Sequence, residues 1–118
     1  MKTILLVDDE VDILKILTLR LEAAGYKIET AKNGNEVFEK IKIAKPDLIF
    51  IDYFLPGKNG FLVIKELKES LEYKDIPVLL ISGAKEKIEE KGLDKLADAV
   101  LYKPFNKEEL LATIKKII

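Results

Sequence analysis

Four short apolar runs in this chain each end on a residue able to do phosphate or metal chemistry. Ile4-Leu5-Leu6-Val7 leads into Asp8-Asp9, Leu48-Ile49-Phe50-Ile51 into Asp52, Val78-Leu79-Leu80-Ile81 into Ser82, and Val100-Leu101-Tyr102 into Lys103. Runs this short, and apolar throughout rather than alternating, suit strands buried on both faces of a parallel sheet. If they share one sheet, their five terminal side chains gather at a single edge. Open α/β sheets bind ligands in the crevice beyond the carboxyl ends of their strands, so a site is expected there.

Between the runs lie amphipathic stretches, the pattern of repeated βα units. Leu14, Leu17, Leu21 and Ala24 mark a first helix that Gly25 ends. Residues 27 to 31 read as a weaker, more exposed strand. Asn33 with Glu36 forms a capping-box pattern for a second helix, and Pro46 closes the connection after it. Turn residues from Leu55 to Gly60 precede a helix marked by Phe61, Ile64, Leu67 and Leu71, and Pro77 opens the next strand. Residues 84 to 98 are highly charged, with Ile88, Leu93 and Leu96 as their large apolar residues. Asn106 with Glu109 then caps a last helix whose buried stripe is Leu110, Ile114, Ile117 and Ile118. The expectation is five βα units in one domain, residues 1–118. Right-handed crossovers make this a doubly wound five-stranded parallel sheet of order 2-1-3-4-5, with helices on both faces. Its switch point falls between the strands that end in Asp8-Asp9 and Asp52.

Composition narrows the chemistry. The 118 residues are 48% hydrophobic and 35% charged, with a formal net charge of −1, which gives no electrostatic reason to expect direct nucleic-acid binding. The chain has no Cys and no His, so disulfides, thiolate sites, imidazole bases and a phosphohistidine of its own are excluded. Its apolar runs are strand-sized, so no membrane association is expected and a cytoplasmic location is the default.

Carboxylates, a hydroxyl and a lysine remain. Two carboxylates about 4 Å apart repel by about 4 kcal/mol at an effective dielectric near 20, and a cation relieves this. Oxygen ligands without His or Cys favour Mg²⁺ or a similar divalent ion that keeps several waters and also binds phosphate oxygens. Lys103 supplies a charge for a phosphoryl oxygen or a carboxylate, and Ser82 a hydroxyl donor. Phosphoryl transfer needs a nucleophile and charge neutralisation, and this set has both. Asp52, alone at the centre of the crevice, is the better nucleophile, whereas the adjacent Asp8 and Asp9 suit a metal clamp. Each element alone has a bland explanation as helix cap, turn former or solvated lysine. Four coincident strand ends are hard to obtain that way.

These residues, in this order, resemble the receiver domain of bacterial response regulators, the CheY-like, flavodoxin-like fold of two-component signalling. The resemblance spans the chain. It rests on Leu5-Leu6-Val7-Asp8-Asp9-Glu10, on Asp52 with Leu55-Pro56-Gly57 and Gly60-Phe61, on Ser82, and on Lys103-Pro104-Phe105. It implies a regulatory switch rather than an enzyme, one that assists its own Mg-dependent phosphorylation and slow dephosphorylation. Asp52 accepts a phosphoryl group from a phosphohistidine on a sensor histidine kinase or histidine phosphotransfer protein. Asp9 binds Mg²⁺ (or Mn²⁺) directly, Asp8 chiefly through water, Asp52 through an oxygen and Phe54 through its backbone carbonyl. Lys103, followed by a usually cis bond to Pro104, pairs with the acids, and Ser82 closes on the phosphoryl group. The output contact is a downstream protein, met by the fourth helix, fifth strand and fifth helix, with Lys87, Lys91, Val100 and Lys107.

Some positions depart from the family pattern. Val100 stands where an aromatic residue usually moves with the Ser or Thr, and Tyr102 is read as lying on the opposite alternation. Leu96 replaces a common Gly and the span from Ser82 to Lys103 is short, so the fourth helix and its loop are expected to be unusual. Phe54 and Ala84 flank the path of attacking water and cannot orient it, which implies a long-lived phosphorylated state. No output domain follows Ile118, so the chain reads as a single-domain regulator or a domain cut from a longer protein. The alternatives are a haloacid-dehalogenase-like phosphatase with Asp8 as nucleophile, and a flavodoxin-like cofactor binder that lacks the usual phosphate loop after the first strand.

Overall fold

The computed structural model of the chain describes residues 1–90 and 92–118, with only the backbone of residues 87, 90, 93 and 94. Five strands, β1 (Thr3–Val7), β2 (Lys27–Ala31), β3 (Leu48–Asp52), β4 (Val78–Ser82) and β5 (Ala99–Tyr102), form one parallel sheet in the order β2-β1-β3-β4-β5. The described helices are α1 (Val11–Ala23), α2 (Gly34–Ile43), α3 (Gly60–Glu69), α4 (Lys85–Glu90), α5 (Leu93–Leu96) and α6 (Lys107–Ile117). The expected doubly wound α/β fold and strand order are therefore present. The fourth crossover differs from a plain βα unit because it carries two short helices. Gly92 separates them with φ +72, a left-handed conformation that ends α4. The helix expected to be fifth is thus α6. Lys91 and the side chains of Lys87 and Leu93, singled out in the sequence, lie outside the described residues.

The sheet divides the core in two. Leu5, Val7, Ile49, Ile51, Val78 and Leu80 point to one side, where Val37 and Ile41 of α2, Val63, Ile64 and Leu67 of α3, and Ile88 of α4 cover them. Ile4, Leu6, Leu48, Phe50, Leu79 and Ile81 point to the other, under Leu14, Leu17 and Leu21 of α1 and Leu110 and Ile114 of α6. Burying each such side chain contributes about 1.5–3 kcal/mol, against about 1 kcal/mol for a helix cap, so packing outweighs capping in holding these helices. β2 is one of the two edge strands and alternates exposed with partly buried residues up to Ala31, as expected. Leu71 is 87% exposed and lies beyond the end of α3, because that helix stops at Glu69 and Ser70 turns extended. The buried stripe of α3 instead includes Val63, about two turns before Leu71. Ile117 and Ile118 are only partly buried.

Local signals behave as their chemistry requires. Gly25, at φ +98, follows α1, with its N–H on Glu22 O and that of Tyr26 on Leu21 O, a Schellman ending. Asn33 and Asn106 accept from the N–H of Glu36 and Glu109, and Glu36 reaches back to the Lys32 N–H.

Candidate functional site

β1 and β3 lie side by side with Val7 in register with Ile51, so Asp8 and Asp52 leave the sheet as neighbours. Strand alternation puts both on the side of α1 and α6, and Lys103, two residues past Leu101, reaches the same side. Asp8 is 2% exposed and Asp52 5%, a costly position for two acids unless partners compensate them. The Lys103 ammonium donates to Asp52 Oδ2 at 2.9 Å. The Phe54 backbone N–H donates to Asp52 Oδ1 at 3.0 Å, and that of Glu10 to Asp8 Oδ1 at 2.9 Å. Lys103 is fixed at its base by its own N–H on Ser82 O at 2.9 Å, and its bond to Pro104 is cis.

This leaves an excess of negative charge in a confined place. Burial pushes the Asp8 carboxyl up to about 6; the Glu10 N–H opposes this, the charge of Asp52 and a hydrogen bond to it add, and Lys103 opposes. Burial alone lowers the Lys103 ammonium, but its hydrogen bond to Asp52 and the charges of Asp52, Asp8 and Glu10 hold it above its ordinary value. One lysine thus answers two buried carboxylates. Among the described residues no group of three or more acidic side chains converges as a metal cage. Asp9, singled out with Asp8 as a clamp, is exposed. Two buried carboxylates that share one lysine nevertheless fit a hard divalent ion that keeps most of its waters.

The other sequence-selected residues lie around this centre. Ser82 is fully buried on the neighbouring strand, and its Oγ accepts the Ala84 N–H at 2.9 Å. Phe54 is 54% exposed and stands edge-on to Tyr53, with ring centroids 4.9 Å apart. Val100 packs on the α2 and α3 side, and so does Tyr102. The expectation that Tyr102 lies on the opposite alternation is therefore corrected: residues two apart in a strand share a face.

Sequence reasoning missed Gly60 as a site-shaping residue. A Cβ there would come 2.5 Å from Asp52 O and 2.9 Å from Tyr53 Cα, while the Gly60 N–H donates to Tyr53 O at 2.8 Å. The loop after the acid folds back on the strand that carries it, which only a residue without a side chain allows. Its signal was the Gly before Phe61, read as turn punctuation and as part of the family motif but given no role in shaping the site. Asn59, which caps α3 by accepting from Leu62 N–H, was missed in the same loop.

A family model described as the response regulator receiver domain matches residues 4–115. The chain belongs to this family. Its sequence is 37% identical over 118 residues to the phosphate regulon transcriptional regulatory protein PhoB of Pseudomonas aeruginosa, covering 99% of this chain and 52% of that protein. The receiver domain thus spans about half the length of the curated relatives it matches. Among solved structures, the response regulator TrrA of Thermotoga maritima, in complex with Mg²⁺-BeF, has a TM-score of 0.89 at 35% identity, with both chains fully covered. Chemotaxis response regulator CheY4 of Vibrio cholerae has a TM-score of 0.87 at 34% identity, covering 100% of this chain and 99% of that one. A receiver domain is a phosphoryl-accepting signalling switch, a regulatory domain that works with histidine kinases and downstream effectors. None of these relatives supports the haloacid-dehalogenase-like alternative.

Proposed function

We propose that residues 1–118 form one receiver domain in which Asp52 takes a phosphoryl group from a phosphohistidine of a sensor histidine kinase or histidine phosphotransfer protein in the cytoplasm. The supporting observation is the 2.9 Å pair between Lys103 Nζ and Asp52 Oδ2, with buried Asp8 beside it at the sheet's carboxyl edge. An Asp52 oxygen attacks phosphorus, the new O–P bond forms, and the P–N bond breaks, leaving the electron pair on the donor imidazole. Lys103 already sits at the carboxylate and can follow the negative charge onto the phosphoryl oxygens. The buried Ser82 hydroxyl is one strand away and donates to the same group. A Mg²⁺ or Mn²⁺ ion held by Asp8, Asp52, Asp9 and the Phe54 carbonyl supplies charge neutralisation when bound. TrrA binds Mg²⁺-BeF, which agrees with this assignment.

The outcome is a changed protein-binding surface on α4, β5 and α6, which includes Val100 and Lys107. No turnover of an external substrate is involved, and neither nucleic acid nor membrane is a direct partner. Incubation with Mg²⁺ and acetyl phosphate, followed by intact mass measurement, tests the proposal. A one-phosphoryl adduct that disappears in Asp52→Ala is expected. An adduct lost in Asp8→Ala but kept in Asp52→Ala would point to the phosphatase alternative.

A further inference from the structure

The loop that follows Asp52 is held at its two ends by backbone and in its middle by one lysine. Its base is closed by the Gly60 N–H on Tyr53 O at 2.8 Å, and its start by the Phe54 N–H on Asp52 Oδ1 at 3.0 Å. Leu55 is buried, whereas Phe54, Pro56 and Gly57 are exposed, and the chain turns at Gly57 with φ +75. Just past that turn, the Lys58 side chain reaches out of the loop to both neighbouring helices. Its ammonium donates to Glu66 Oε1 of α3 and lies over the Phe38 ring of α2, 5.6 Å from the centroid, within the range of a cation–π contact. Its stem runs so close to the start of α2 that a Cβ on Gly34 would come 3.4 Å from Lys58 Cδ and 3.5 Å from Lys58 Cβ. Both helices pack on the same face of the sheet, so Lys58 clasps the loop between two elements that the core already fixes.

We propose that Lys58 is a positioning residue that raises the site's preference for Mg²⁺ relative to Ca²⁺, by holding this loop and with it the Phe54 carbonyl. The inference rests on the proposed metal role of that carbonyl with Asp8, Asp9 and Asp52. A backbone carbonyl is placed only by placing the chain on both sides of it. On the Asp52 side the Phe54 N–H does this. On the other side buried Leu55 and, past the exposed Pro56 and Gly57, the clasp of Lys58 do it. Mg²⁺ demands near-ideal octahedral geometry at short oxygen distances, whereas Ca²⁺ accepts more oxygens in flexible arrangements. A fixed carbonyl therefore favours the smaller ion, and a loosened one costs Mg²⁺ more than Ca²⁺. The Lys58 and Glu66 side chains are 33% and 47% exposed, so their pairing adds little to the stability of the fold. Its leverage is on the shape of the loop.

The test uses the full chain and the metal ions alone. Mg²⁺ and Ca²⁺ are titrated separately, and binding is read from the amide signals of Asp9, Phe54 and Gly60 in nitrogen–proton correlation spectra. The quantity compared is the ratio of the two dissociation constants within each protein. Both ions carry the same charge, so the loss of the lysine's own field acts on them alike and cancels in that ratio. Lys58→Met keeps a stem along Gly34 but loses the ammonium, and its ratio should shift at least twofold toward Ca²⁺. Lys58→Arg keeps a cation for Glu66 and the Phe38 ring, and should retain the wild-type ratio. A ratio unchanged in Lys58→Met, or displaced as far in Lys58→Arg, overturns the clasp. If the wild type shows no saturable Mg²⁺ binding at these amides, the metal assignment itself fails and the clasp fails with it.

Discussion

Asp52 is held from two sides by groups of different reach. The Phe54 N–H is a fixed backbone donor, whereas Lys103 is a flexible ammonium that can travel with the charge. This division suits the proposed phosphoacceptor, which would keep one oxygen oriented while the other reacts. Gly60 makes the fixed half possible by letting the loop fold back on Asp52. Gly60→Ala would press a Cβ into backbone, which cannot swing aside, so a loss of about 1–3 kcal/mol in urea unfolding is expected. Impaired phosphorylation should accompany it. On the proposed phosphorylation of Asp52, Phe54 and Ala84 would bear on the reverse reaction. Neither side chain can hydrogen-bond an attacking water, and the half-exposed Phe54 ring stands two residues beyond Asp52. The double variant Phe54→Asn with Ala84→Glu should therefore shorten the half-life of phosphorylated Asp52 severalfold, measured by decay of the adduct mass. An unchanged or longer half-life would refute the shielding role. The acids and the lysine were legible in the sequence because strand ends are positions of known direction. Gly60 was not, because its role depends on a through-space approach to Asp52 that no periodicity encodes.

The strands and the long helices were legible for a related reason: apolar runs and three-four spacing report burial directly, and the buried sets under α1, α2 and α3 follow it. The charged stretch from 84 to 98 carries too few large apolar side chains for such a pattern. Its structure is set instead by Gly92 and by contacts distant in sequence. One of these is a clamp at the far end of the sheet. Lys68, near the end of α3, donates to Asp98 Oδ2 at 2.7 Å and to Ile76 O at 3.4 Å, while the same Asp98 oxygen accepts the Val78 N–H at 2.7 Å. A single lysine thereby joins α3 to the starts of β4 and β5. Lys68→Met keeps the aliphatic stem but leaves Asp98 and the carbonyl to water, and a destabilisation of about 0.5–2 kcal/mol is expected in chemical denaturation. Asp98→Ala should cost at least as much, because it also strips the Val78 N–H of its acceptor. Non-additivity in the double variant, read as a coupling energy, identifies the clamp as one unit.

The molecule as a whole places its least favourable electrostatics where its function needs them. Two buried acids face one lysine at the carboxyl edge, and the rest of the fold must hold them there. With the Asp8 carboxyl raised to about 6 by burial and the neighbouring acid, the folded protein retains a proton that the unfolded chain releases near its ordinary value of 3.8. Folded protein binding more protons than unfolded means that stability falls as pH rises through this interval. The favourable contribution is fully present below about 4 and lost above about 6. Asp8→Asn removes the titration while keeping the shape of the side chain. Its stability relative to wild type should therefore climb between pH 4 and 6 and level off above, at an advantage of roughly 1–3 kcal/mol. Urea unfolding in EDTA across that range measures the difference, and subtracting the two proteins cancels the titration of the other carboxylates. A flat difference would mean that Asp8 is not strained in the folded state. Repeating the measurement with Mg²⁺ at pH 7.5 should narrow the gap by raising the wild type, since a cation that binds only the folded site stabilises it by mass action. The strain that weakens the metal-free fold is then the same charge that draws the ion in.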